Sequence, residues 1–139
     1  MAVLSSYLTF HGNCREAMQF YQKCLGGKLN FQTIGESPLS GNMPGRMKNC
    51  ILYASLNGDG ILLMASDMVG ERGLLRGNAV SLMLNFTSEK DLRSCYKTLS
   101  AGGEQTHPLK DTAWGAIIGE LADKYGNHWI LNYNRTIIN

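Results

Sequence analysis

Three histidines (His11, His107, His128), four cysteines (Cys14, Cys24, Cys50, Cys95) and Glu120 are the first residues to examine for metal binding, proton transfer or nucleophilic chemistry. No His pair has the spacing that sets two imidazoles on one helix face, and no Cys-x-x-Cys pair is present, so neither a zinc pattern nor a small disulfide framework emerges. Reduced thiols in or near the core are the expectation, because Cys24 and Cys95 fall on apolar stripes where Cys behaves as a small hydrophobe. His11, beside Gly12, reads as a strand-end residue, and His107, before Pro108, as a loop or strand-end residue. His128 alternates with Ile130, which leaves both a ligand-facing role and a cross-strand surface role open. Glu120 lies on the mainly apolar run Ala116–Leu121, and alternation there also admits an outward-facing charge. Spacing alone names no general base.

Positioning these groups is the task of the surrounding elements, and composition bounds what those are. The chain has 139 residues, 44 % of them apolar and 17 % charged, which excludes wholesale disorder and allows one domain or two small sub-domains. Thirteen Lys+Arg against eleven Asp+Glu, a net charge of +2 with no basic run, argues against nucleic acid or a membrane surface as partner. No apolar run approaches the roughly 18 residues of a membrane span, and the start lacks a secretory pattern, so the expected address is cytoplasmic.

The organisation repeats. Residues 4–10 read as a strand; Asn13 with Glu16 three later reads as a capping-box-like start; Ala17, Tyr21 and Cys24 mark a helical stripe flanked by Met18 and Leu25; Gly26-Gly27 stops it. Residues 79–86 read as a strand again, Ser88 and Asp91 start a helix carrying Leu92, Cys95, Tyr96 and Leu99, and Gly102-Gly103 closes it. Asn13 to Ser88 and Tyr21 to Tyr96 are each 75 positions. Strands at 28–34, 48–56 and 61–66, the last two joined by Asn57-Gly58-Asp59-Gly60, complete the first half. Strands at 104–109, 114–121 and 128–133 complete the second. The prediction is an α+β fold of two βαβββ modules, 4–66 and 79–133, joined by a linker at 67–78. A four-stranded ferredoxin-like βαββαβ sheet is the rival, and it leaves one strand per half unassigned.

One helix covers one face of each sheet, so the sheets are expected to curl into cups with helices outside and ligands inside. Period-two alternation puts Ser6, Leu8 and Phe10 on the concave side with Ser81, Met83 and Asn85, and sends Tyr7 and Thr9 toward the helix. Met64 and Ile130 join the concave set, the methionines serving either as core filler or as an adaptable pocket wall. Trp129 is expected under a helix and Trp114 at a pocket mouth. The loop Glu36–Arg46, with Pro38 and Pro44, reads either as a lid or as a plain crossover.

The run Tyr7-Leu8-Thr9-Phe10-His11-Gly12-Asn13-Cys14-Arg15-Glu16-Ala17 leading into Phe20-Tyr21, and the closing Trp114-Gly115 and Asp123-Lys124-Tyr125-Gly126-Asn127-His128-Trp129-Ile130-Leu131-Asn132, resemble the PhnB-like branch of the vicinal oxygen chelate (glyoxalase/bleomycin resistance/dioxygenase) superfamily. The resemblance implies paired βαβββ modules, a homodimer and, in many relatives, a divalent metal. Counting from the matching motifs, the metal-ligand positions of those relatives fall on Ser6, Met64, Ser81 and Ile130, with Glu120 and His128 nearby. Hydroxyls, a thioether and an alkyl group suit a hard or borderline ion poorly, so no metal and no cofactor are expected. The first functional expectation is a metal-independent protein binding an unidentified small molecule through Ser6, Leu8, Met64, Ser81, Met83, Trp114, Glu120, His128 and Ile130. Its rivals are a metal-dependent lyase or isomerase of glyoxalase type and a 3-demethylubiquinone methyltransferase-like enzyme. The last ranks lowest, since there is no Gly-rich nucleotide loop after a first strand.

Overall fold

The same plan of one strand, one helix and three strands is laid down twice. The structure, a computed structural model, describes residues 1–38, 41 and 44–135, and the chain divides into two compact units, Met1–Leu75 and Arg76–Asn139. The first unit runs β1 (Ser6–Thr9), α1 (Cys14–Leu25), β2 (Lys28–Thr33), β3 (Ile51–Gly58) and β4 (Ile61–Ser66); the second runs β5 (Leu82–Phe86), α2 (Glu89–Ser100), β6 (Glu104–Asp111), β7 (Ala116–Ala122) and β8 (His128–Asn134). The strand orders are β1-β4-β3-β2 and β5-β8-β7-β6. In each sheet the first strand pairs parallel with the last, and the other pairings are antiparallel. Four strands per half remove the ferredoxin-like alternative.

Boundaries shift where turn chemistry intervenes. The strand expected at 48–56 begins only at Ile51, because Gly45–Met47 forms a 3-10 turn ahead of it. The strand expected at 79–86 begins at Leu82. Residues 39, 40, 42 and 43 of the loop Glu36–Arg46 lie outside the described residues, and with them the lid reading.

Each core is the helix stripe against one sheet face. Phe10, Ala17, Met18, Tyr21, Ala54, Leu56 and Ala65 are fully buried in the first unit; Leu92, Leu99, Ile117, Leu121, Trp129 and Leu131 are buried in the second. Trp129 lies on the helix side, and its Nε1–H donates to Asp123 Oδ2 at 2.8 Å, so the indole is buried with its polar atom satisfied. Asp123 Oδ1 also accepts from the Tyr125 and Asn127 amides, at 2.9 and 3.1 Å, which closes the turn before β8.

The register of β1 corrects one expectation. Ser6 pairs with Leu63 and Leu8 with Ala65, residues that face α1, whereas Tyr7 pairs with Met64 on the uncovered face. Ser6, Leu8 and Phe10 therefore belong to the helix side, and Tyr7 and Thr9 to the open side. The physical reason is one residue. From Phe10 to the first helical residue, Cys14, is four positions, but from Phe86 to Glu89 is three, so the 75-residue offset of the helices is 76 in the strands. In a strand one position inverts every side chain.

Candidate functional site

The uncovered sheet faces are where the fold leaves side chains free to meet a ligand. On the first sheet the central row across β1, β4, β3 and β2 is Tyr7, Met64, Ser55 and Asn30. Tyr7 Oη donates to Ser66 Oγ at 2.8 Å, and that same oxygen accepts the Met68 amide at 3.1 Å, which holds the phenol down along the edge strand. On the second sheet the matching row across β5, β8, β7 and β6 is Met83, Ile130, Glu120 and His107. Met83 is 51 % exposed. One row further along stand Asn85, Asn132, Ile118 and Lys110, with Asn132 Nδ2 donating to Asn85 Oδ1 at 3.2 Å.

Five of the nine residues singled out from sequence thus share the open face of the second unit, or border it. Met83, Glu120, Ile130 and His128 are on it, His128 pairing with Ala122, and Ser81 is exposed immediately before β5. Met64 occupies the open face of the first unit, and Ser6 and Leu8 face the other way. Trp114 sits in the turn between β6 and β7 and is 70 % exposed.

Sequence reasoning read His107 as a loop or strand-end residue and did not single out Lys110, yet both stand on the second face. His107 Nδ1 lies 3.3 Å from Glu120 Oε2, so the carboxylate has a partner on the neighbouring strand. Lys110 faces the same way as His107, although residues three apart in a regular strand face opposite sides. The β6–β7 pairing shifts register between Glu104 and His107 and again between His107 and Lys110, and these bulges rotate both side chains onto one face. Pro108, which donates no ladder hydrogen bond, was the signal in the sequence.

The family resemblance implies a metal, and the donor set tests it. With β1 in its observed register, the position beside Met64 is Tyr7, and the position beside Ile130 is Met83. A phenol, two thioethers and an alkyl group do not fit a hard or borderline divalent ion. Among the described residues no three His, Cys, Asp or Glu side chains cluster in a way that could hold one.

Comparison with known proteins supports the fold reading. The chain is 30 % identical over 138 residues to protein YjdN of Escherichia coli, covering 93 % of both chains. It is 32 % identical to protein PA1353 of Pseudomonas aeruginosa, whose crystal structure superposes with a TM-score of 0.81 over 96 % of this chain and 98 % of that one. The PhnB protein from Bacillus cereus, named for a proposed 3-demethylubiquinone-9 3-methyltransferase activity, is 25 % identical, with a TM-score of 0.72 over 95 % and 99 % of the two chains. Residues 4–131 match the sequence pattern of one superfamily. With its two βαβββ units, each presenting an open face, the chain belongs to the Glyoxalase/Bleomycin resistance protein/Dioxygenase superfamily.

Proposed function

We propose that the protein binds a small, largely apolar molecule carrying oxygen functions, without a metal. The observation that carries this reading is the chemistry of the inner rows. Tyr7 beside Met64 and Met83 beside Ile130 fill the centres of the two open faces, and none of the four is a good ligand for a hard or borderline ion. Flexible thioethers and aliphatic carbons suit an adaptable apolar contact, and Asn85, Asn132, Ser81, His128 and Glu120 supply hydrogen bonds around it. Trp114 extends the apolar surface at one end. On this reading the protein works in the cytoplasm as a homodimer, with no nucleic-acid or membrane partner. Superfamily membership and the exposed Leu4, Leu75 and Val80 support the dimer, and among the described residues no helix is long and apolar enough to cross a membrane.

Two measurements test the reading. Thermal melts with zinc, manganese, nickel, cobalt or magnesium ions should differ from the metal-free melt by less than about 1 °C, because an ion with no site cannot stabilise by mass action. The fluorescent probe 8-anilinonaphthalene-1-sulfonate should bind saturably, and Met83→Glu should weaken it about tenfold by placing a charge of the dye's own sign on the apolar row, with the melting temperature retained. A stoichiometric ion in the purified protein whose removal lowers the melting temperature would overturn the proposal.

A further inference from the structure

We infer that the second open face is more than a binding surface: His107, held by Glu120 and faced by Lys110, is a metal-free general base for a small carbon acid. This inference rests on the reading of that face as the ligand-binding one. The two open faces differ at these points. The row that ends in Glu120 and His107 on the second sheet ends in Ser55 and Asn30 on the first.

The pair is supported from beneath. Tyr96, on α2, shares its hydroxyl proton between the backbone carbonyls of His107 and Glu120, at 3.0 and 3.1 Å. One buried phenol from the helix side thus fixes the two backbone points whose side chains meet on the opposite side. It reaches them because position 119 is glycine. A Cβ there would stand 2.8 Å from Leu109 Cδ2, 3.0 Å from Tyr96 Cε2 and 3.2 Å from the His107 carbonyl oxygen. The bulged β6, the glycine and the tyrosine act together to fix the backbone from which one imidazole and one carboxylate, 71 % and 42 % exposed, approach to 3.3 Å. Such support behind a pair of side chains is what holds reacting groups in place.

The chemistry follows from the atoms. The Glu120 carboxylate, 3.3 Å from Nδ1, favours the tautomer with its proton on that nitrogen, which leaves the lone pair of the neutral imidazole on Nε2. That nitrogen can take a proton from a C–H bond of a flat molecule resting on Ile130 and Met83, and the Glu120 carboxylate stabilises the imidazolium that forms. The substrate class is a carbon acid whose departing proton leaves negative charge on a nearby oxygen, since Lys110 presents a cation on the same face. The charged or titratable groups sharing this face with His107 are Glu120 and Lys110, with Glu104 and His128 in the row beyond.

The probe is 5-nitrobenzisoxazole. His107 Nε2 takes the C3 proton, the C–H electrons become the third bond of a nitrile, and the N–O bond breaks to leave a phenolate that absorbs visible light. The imidazolium then returns its proton to water, so no oxidant or other reactant is needed. The full-length protein should turn the probe over, and His107→Gln should lower kcat/KM at least about a hundredfold, the lower end of what a positioned base contributes. Glu120→Gln should slow the reaction by removing the charge that stabilises the imidazolium, lowering kcat more than it raises KM, and Glu120→Asp should restore part of the rate. A role in folding alone would instead lower the melting temperature and leave kcat per folded molecule unchanged. If His107→Gln turns the probe over as fast as the parent while still binding 8-anilinonaphthalene-1-sulfonate, the base is disproved and the binding face stands. If Met83→Glu leaves dye binding intact, the binding face itself is wrong and the inference falls with it.

Discussion

The junctions between first strand and helix in the two units solve one problem by different means. At the second, Ser88 is a local cap: its Oγ accepts the Asp91 amide at 3.2 Å, and the helix starts three residues after Phe86. At the first, Asn13 makes no side-chain capping bond. The cap comes from 53 residues away, where Asp67 Oδ1, just past the end of β4, accepts the Cys14 amide at 3.0 Å and the Gly12 amide at 2.9 Å. The other oxygen, Oδ2, accepts the Ile51 amide at 2.8 Å, and the Asp67 amide donates to the Ile51 carbonyl. A helix capped by its own neighbour depends on local sequence, whereas one capped through Asp67 is tied to the start of β3 and the end of β4. The extra loop residue and the distant cap occur together at the same junction.

Removing that extra residue is the harshest way to break the comparison. Gly12 has φ +94°, a conformation that side-chain-bearing residues avoid, and it is the position to delete. Without it, either β1 slips by one and turns Phe10 and Leu8 outward, or α1 rotates its buried stripe off the sheet. Losing a fully buried Phe costs about 3–5 kcal/mol by itself, comparable to the whole stability of a small domain. The deletion should yield little or no cooperatively folded protein in urea or thermal unfolding. A variant that folds with unchanged stability would show that the register of β1 is set elsewhere.

Replacing the caps is milder and sharper. Asp67→Ala leaves three backbone amides without a charged acceptor and should cost about 3 kcal/mol, as each such bond is worth about 1.5–3 kcal/mol and the amides partly recover with water. Ser88→Ala removes one neutral cap and should cost about 1 kcal/mol. Urea midpoints of the two variants therefore fall in that order, and equal losses would mean that Asp67 does no more than an ordinary cap.

Most of the fold was legible because it rests on local signals: stripes at helical spacing, paired glycines, a hairpin turn and the 75-residue echo. The open face of the second unit was legible through Met83, Glu120, His128 and Ile130, since alternation along a regular strand is itself local. Ser6 and Leu8 were misplaced because the echo was measured on the helices and carried unchanged into the strand, across a loop one residue longer. His107 was undervalued because bulges break the period-two rule that assigns a face, and only the pairing with Glu120 reveals its direction. Asp67 had no signal near α1 at all, for the contact is long-range.

The smallest effect compares Cys14 and Glu89, which are equivalent first residues of their helices. A helix N-terminus favours negative charge at both. Glu89 conforms: hydrogen bonds from Arg93 (3.0 Å) and Arg135 (3.2 Å) hold its carboxyl below the usual range. That stabilisation is present above the ordinary carboxylate pKa and vanishes as pH falls through the lowered one, so Glu89→Gln should slightly flatten the acid limb of a stability-versus-pH curve. Cys14 does the opposite. Burial first, then the neighbouring Asp67 carboxylate, push its thiol from 9.0 up to about 12 against the opposing pull of Arg15. The unfolded chain then gives up this proton near 9 while the folded chain keeps it to about 12, so stability falls with rising pH across that window and is intact below it. Cys14→Ala should remove part of the alkaline loss. In the native protein at pH 8, iodoacetamide should label the half-buried Cys50 far sooner than Cys14, because only the thiolate reacts. Equal labelling rates would mean that the helix terminus, and not burial beside Asp67, governs this thiol.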